Sequence, residues 1–170
     1  MKKTLNVYFD YICPYCYRGI TDLMELLPEF PGLSVNWVPC EAHPRPEPAF
    51  LHSDLANQAM IAAAEQGGDL LRFHHSVFQA HFVERRRIDD KHVLADMAAD
   101  CGADRDKVLT ALEKGLYRQT ALDNNTLVWG KLGFEAVPCY QSDSLLLASR
   151  EDVMISRKEL RGFLEAVVNR

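Results

Sequence analysis

Phe9-Asp10-Tyr11-Ile12-Cys13-Pro14-Tyr15-Cys16-Tyr17-Arg18-Gly19 is the stretch on which the architecture turns. Just upstream, Leu5 to Phe9 is short and rich in Val, Tyr and Phe, which reads as a buried strand. Downstream, Cys16, Ile20, Leu23, Met24 and Leu27 recur at helical spacing, predicting a helix from Pro14 that Pro28 ends. Leu33 to Val38 alternates Leu, Val and Trp with Ser and Asn, a second strand. Strand, helix and strand in this order make a βαβ unit with an expected right-handed crossover.

The two cysteines fall where that unit makes them reactive. Cys13 is expected at the helix N-cap and Pro14 at the first helical position, where a missing N–H costs nothing. The free N–H groups of Tyr15 and Cys16 then point back at the Cys13 sulfur and, with the helix dipole, favour thiolate over thiol. Such settings commonly bring a thiol pKa from ~8.5 into the range ~3.5–7.5. Cys16 lies one turn on, near the ~5.5 Å Cα separation that a disulfide prefers. Cys13 is therefore the expected nucleophile, and Cys16, on the apolar stripe, the buried partner that resolves a mixed disulfide.

Further along, Pro39, Pro44, Pro46 and Pro48 predict an extended connection. Helices are expected from Asp54 to the Gly67-Gly68 stop, and from Asp69 to Phe82 with Leu71, His75, Phe78 and Phe82 on one face. A third follows Asp89 and Asp90, with Val93, Leu94, Met97 and Cys101 inward. A fourth starts at Asp104, and a fifth spans Tyr117 to Leu132. After Pro138, Cys139 to Gln141 and Ser144 to Ala148 read as a hairpin turning near Ser142-Asp143. Ser156 with Glu159 forms a capping box for a last helix carrying Leu160, Phe163, Leu164, Val167 and Val168. The fold class is α/β, in the order βαβ, helical block, ββα. Residues 1–48 and 133–170 are expected to form one unit around the sheet, with 49–132 as an inserted helical subdomain.

The chain has 170 residues, 48% hydrophobic and 25% charged, enough apolar material for a real core. A net charge of −5 argues against nucleic-acid binding, which needs a basic face. Lys2 and Lys3 are followed by no signal-peptide h-region, and no apolar run approaches the ~20 residues of a membrane span, so a cytoplasmic location is expected. Five cysteines (Cys13, Cys16, Cys40, Cys101 and Cys139) are too few, and odd in number, for a secreted disulfide framework.

A C-x-x-C alone is also half a zinc site. One that follows a strand and opens a helix inside a βαβ unit is the arrangement of thioredoxin-like redox proteins. Phe9 to Gly19 resembles the active-site signature of the DsbA family of thioredoxin-like oxidoreductases, in particular its cytosolic FrnE-type branch. Trp37-Val38-Pro39-Cys40-Glu41, the helical block and Lys131-Leu132-Gly133-Phe134-Glu135-Ala136-Val137-Pro138 agree in order and spacing. The resemblance implies a thioredoxin fold with a helical insertion, a central first strand, and a cis-proline at Pro138 packed against the Cys13–Cys16 pair. It implies disulfide exchange with protein or small-molecule thiols, and substrate-facing positions at Pro14, Tyr15, Val137 and Pro138. Val137 would offer backbone hydrogen bonds to an extended substrate. No resident cofactor is implied; glutathione enters at most as a co-substrate. The Pro-Tyr dipeptide, where strongly oxidising periplasmic members carry Pro-His, points to a potential nearer ~−200 to −230 mV than ~−120 mV.

Two other functions compete. A kappa-type glutathione transferase or 2-hydroxychromene-2-carboxylate isomerase shares the inserted architecture, but has serine where this chain has Cys13. A zinc or copper protein would use Cys13, Cys16 and Cys139 as soft ligands. Cys139 reads either as a small residue beside the proline or as a third thiol near the pair. Cys40 and Cys101 read as structural. His74 and His81 share a helix face, but surface or partly buried histidines are the default and no metal site is assigned. Arg85-Arg86-Arg87 reads as a solvated loop, or as a contact for glutathione or an acidic peptide. Asp10 and Glu41 are candidates for relaying the Cys16 proton. Tyr11, Tyr15 and Tyr17 are expected to line a groove or cover the disulfide. The sequence leaves the oligomeric state open.

Overall fold

A computed structural model describes residues 1–170. Strand β1 (Lys3–Phe9) leads through a tight loop into helix α1 (Pro14–Leu26), a 3-10 turn (Leu27–Glu29) and strand β2 (Leu33–Pro39). Helices α2 (Asp54–Glu65), α3 (Leu70–Phe78), α4 (Lys91–Asp100), α5 (Arg105–Lys114) and α6 (Arg118–Asn125) follow. The hairpin β3 (Cys139–Ser142) and β4 (Leu145–Ala148) and helix α7 (Arg157–Val168) complete the order. The four strands lie in the order β2-β1-β3-β4, with β1 parallel to β2 and antiparallel to β3. β1 is thus internal, and its C-terminal end delivers the chain to Cys13. No helix is long and apolar enough to cross a membrane.

Local chemistry accounts for most helix starts. Asp69, Asp90 and Asp104 sit at the N-caps of α3, α4 and α5, each accepting backbone N–H bonds from the first turn. Ser156 and Glu159 form the reciprocal capping box of α7. Gly115 closes α5 in the left-handed conformation, φ 61°.

Strand alternation sorts the core. Val7 and Phe9 share a face with Tyr140, since Val7 and Tyr140 are cross-strand partners. Phe9 meets Tyr11, Trp37, His74 and Phe78 there, so α3 closes over the end of β1. Tyr8 points the opposite way and packs edge-on against Phe134, their ring centres 5.2 Å apart.

Several expected details differ. The inward face of α3 is Phe73, His74, Val77 and Phe78; Leu71 and His75 are exposed. Spacing from Phe78 permits either set; the buried one places Phe73, His74 and Phe78 against Phe9 and Tyr11. In α1, Leu26 is buried while Met24 and Leu27 are only partly covered. The second and fifth expected helices each finish as a π-helical turn, over Gln79–Val83 and Thr126–Lys131. The hairpin turns at Asp143-Ser144, one residue later than expected, with Asp143 at φ 49°.

Candidate active site

Cys13 occupies the N-cap of α1 with extended backbone angles (φ −86°, ψ 121°), and Pro14 begins the helix. The Cys16 N–H donates to the Cys13 sulfur at 3.4 Å. Its thiol pKa is lowered, first by the Cys16 thiol beside it, then, against the opposing effect of burial, by the N–H groups of Cys16 and Tyr15. Cys13 is partly exposed, and its Sγ lies 3.7 Å from the Val137 carbonyl oxygen. Cys16 is the opposite case. It is fully buried, and burial pushes its thiol well above the ordinary range, helped by its bond to Cys13. Both sulfurs are free thiols.

Asp10 lies beneath this pair. Its own N–H donates to the Cys16 sulfur at 3.4 Å. Its carboxylate is fully buried and accepts from Ile12 N–H (3.1 Å), Ala42 N–H (2.9 Å) and the Ser53 hydroxyl (2.7 Å). Burial raises the Asp10 pKa, and those three bonds hold it back. Ser53 stands at the N-cap of α2 yet makes no capping bond, because its hydroxyl is spent on Asp10. The Asp10 network thus ties the loop before Cys13 to the segment entering the helical block.

Cys40 is buried close by, its thiol donating to the Phe9 carbonyl at 3.4 Å and pushed upward by burial. Glu41 is buried too. Its N–H donates to Asn125 Oδ1 (2.7 Å), and its carbonyl accepts from Trp129 Nε1 (2.7 Å). Glu41 therefore anchors the end of α6, and of the two residues it is Asp10 that contacts Cys16, through its backbone N–H.

The Val137–Pro138 peptide is cis. A Cβ placed on Gly19 would lie 2.9 Å from Pro138 Cγ and 2.6 Å from the Tyr140 hydroxyl, so the glycine permits α1 to seat directly on this loop. Pro14 and Tyr15 are exposed beside Cys13, whereas Val137 and Pro138 are buried behind it.

Cys139 does not turn toward the pair. Strand alternation places it on the face opposite Tyr140 and α1, where its Sγ donates to the Ala136 carbonyl at 3.0 Å and burial raises its pKa to about 11. No group of three or more His, Cys, Asp or Glu side chains could hold a metal ion, so the reading with Cys13, Cys16 and Cys139 as ligands lacks its third member. Cys101 is buried in the helical block and bonds the Ala98 carbonyl. Tyr11 lines no groove: it is fully buried, its hydroxyl 2.8 Å from His74 Nδ1. His74, expected nearer the surface, is fully buried, with its pKa lowered to about 3 by desolvation. It is a neutral core histidine. Tyr17 is partly buried, stacked on Phe82 with ring centres 4.8 Å apart. Sequence reasoning missed Ser53 and Ala42, and no local pattern marks either as a partner of Asp10.

Comparison with known proteins gives the same picture. Residues 4–151 match the family model of the DSBA-like thioredoxin domain. The uncharacterized protein YwbO of Bacillus subtilis (strain 168) is 23% identical over 175 residues, covering 82% of this chain and 86% of its own length. Among solved structures, the cytosolic disulfide reductase DsbM from Pseudomonas aeruginosa, determined with GSH, superimposes with a TM-score of 0.75. It is 20% identical, with 98% of this chain and 100% of that one covered. BdbD from Bacillus subtilis, in its oxidised form, gives a TM-score of 0.74 at 16% identity, covering 98% and 88%. The chain belongs to the DSBA-like thioredoxin-domain family and is a disulfide oxidoreductase of that family.

Proposed function

We propose that Cys13 and Cys16 reduce disulfides of protein or small-thiol substrates in the cytoplasm, with glutathione as the recycling co-substrate. The Cys13 thiolate attacks one sulfur of the substrate disulfide, breaking that bond, releasing one substrate thiolate and forming a Cys13–substrate disulfide. Cys16 gives up its proton and attacks the Cys13 sulfur, expelling the second substrate thiolate. The substrate gains two electrons, and the enzyme is left with a Cys13–Cys16 disulfide. Two glutathione molecules return those electrons and leave as glutathione disulfide. Asp10 is the proposed acceptor for the Cys16 proton, and Pro14, Tyr15, Val137 and Pro138 are the proposed substrate-facing residues. In a compartment poised by glutathione, this direction is the favoured one.

The observation that carries the reading is the inequality of the two sulfurs: one partly exposed with a lowered pKa, the other buried with a raised one. An attacking and a resolving sulfur need that division. The test is trapping. Cys16→Ser should accumulate a mixed disulfide through Cys13 with a peptide disulfide, and Cys13→Ser should abolish exchange. Undiminished turnover in Cys13→Ser would end the reading.

A further inference from the structure

A cleft of about 420 Å³ has Phe50, Phe82, Arg85, Arg86 and Arg87 among its lining residues. Through Phe50, Leu51 and His81 it shares its lining with a second hollow of about 440 Å³. Ile12, the residue before Cys13, lines that second hollow. The two adjoining hollows form a channel that runs from Ile12, next to Cys13 in the chain, to a cluster of three guanidinium groups; its one carboxylate, Glu47, is 2.7 Å from His43 Nδ1.

The lining is unusual in two independent ways. Phe50 is 100% exposed, a large apolar ring left wholly in water. The arginines are also incompletely neutralised. Arg86 pairs with Glu84 (3.2 Å) and Arg87 with Asp89, whereas Arg85 has no ion-pair partner and is held at φ 54°. Neither Glu84 nor Asp89 lines the cleft. The positive charge is therefore local, in a chain of net charge −5. A long polyanion such as nucleic acid meets repulsion from the rest of that surface, while a short segment meets mainly the guanidinium groups.

We infer that this channel docks an acidic polypeptide segment of the partner protein, one that carries an aromatic or aliphatic side chain against Phe50 and carboxylates against Arg85–Arg87, next to the cysteine presented to Cys13. Arginine suits the task because its planar fork engages carboxylates in pairs, and Phe50 adds apolar area that a charge alone does not. The inference rests on Cys13 being the attacking sulfur, since that is what gives the channel its purpose.

Two measurements separate the ideas. The first is binding: fluorescence anisotropy of labelled peptides containing Ser in place of Cys, one flanked by Glu, Asp and Phe, the other by Lys and Phe. The acidic peptide should bind at least tenfold more tightly at low salt, and the advantage should shrink as salt is added. Arg85→Glu, and separately Arg86→Glu, should each cut the acidic-to-basic ratio at least threefold. Phe50→Ala should weaken the acidic peptide and leave the ratio nearly unchanged. Because the ratio is read within each protein, a general loss of folding does not mimic the result. Equal binding of the two peptides, or a ratio indifferent to both arginine substitutions, overturns the channel. The second measurement is exchange with the same peptides carrying a cysteine disulfide. Charge-selective binding without exchange from either peptide would refute the role of Cys13 and leave the channel standing. Exchange at equal rates would refute the channel alone.

Discussion

Gly19 is where the reactive helix touches the proline loop, and substituting it tests the packing of the site with one methyl group. An alanine Cβ would stand 2.6 Å from the Tyr140 hydroxyl and 2.9 Å from Pro138 Cγ, where an unstrained contact is ~3.5–4.0 Å. Such overpacking costs ~1–3 kcal/mol, while alanine in a helix gains ~1 kcal/mol over glycine. The expected net loss for Gly19→Ala is thus ~1 kcal/mol. Tyr140 supplies the second arm. Its hydroxyl is buried with no hydrogen-bond partner, and Tyr140→Phe removes that cost, so the single change should be neutral or stabilise by ~1 kcal/mol. The double variant loses the closer of the two clashes as well, and should be more stable than the sum of singles by ~0.5–1 kcal/mol. Urea unfolding of the four proteins measures all three numbers. Additivity within ~0.3 kcal/mol, or a Tyr140→Phe loss above ~1 kcal/mol, would show that α1 and the loop do not meet as described.

Four further outcomes follow from the environments of the acids and thiols. Alkylation of Cys13 by iodoacetamide should titrate with a midpoint below the ordinary thiol value, with Cys16 unreactive until the protein unfolds; equal reactivity of the two would contradict their burial. Cys16→Ala removes the largest influence holding the Cys13 pKa down, so that midpoint should move up and the rate at neutral pH fall; an unchanged midpoint would assign the effect to the helix backbone alone. Because the folded-state pKa of Asp10 is raised, its stabilisation is fully present below the unfolded value and lost as pH rises through the folded one. The stability of the native protein relative to Asp10→Asn should therefore grow as the pH falls through the raised folded-state value toward the ordinary carboxylate range in urea titrations, and a difference flat with pH would speak against a buried carboxylate. Equilibration with glutathione should place the Cys13–Cys16 potential near ~−200 to −230 mV, as the Pro-Tyr dipeptide suggests; a value near ~−120 mV would mark a strong oxidant instead.

What could be read in advance was local. The βαβ unit around Cys13 rests on periodicity within single elements, and the caps at Asp69, Asp90, Asp104 and Ser156 act on their own first turns. The expected order of elements therefore matches the structure. Details fixed by distant partners were not legible. The facing of α3 depends on Phe9 and Trp37, far away in sequence, so the choice of His74 over His75 had no local sign. The orientation of Cys139 follows from its pairing with Tyr8, which fixes which face of the sheet it takes. Asp10 could be named as a candidate from its position, but its link to Ser53 crosses the whole Pro-rich connection.

The last helix reaches α1 from behind. Arg157 engages Asp22 and Glu25, and Arg161 holds Glu29 with two bonds, all beyond the turn that carries the sulfur. The reactive helix is consequently a rod whose tip is seated on the proline loop and whose far end is gripped by charge pairs, exposed at Glu25 and Glu29 and buried at Asp22. Concentrated electrolyte weakens such a grip without reaching the tip, so ionic conditions become a remote adjustment of how steadily Cys13 is aimed.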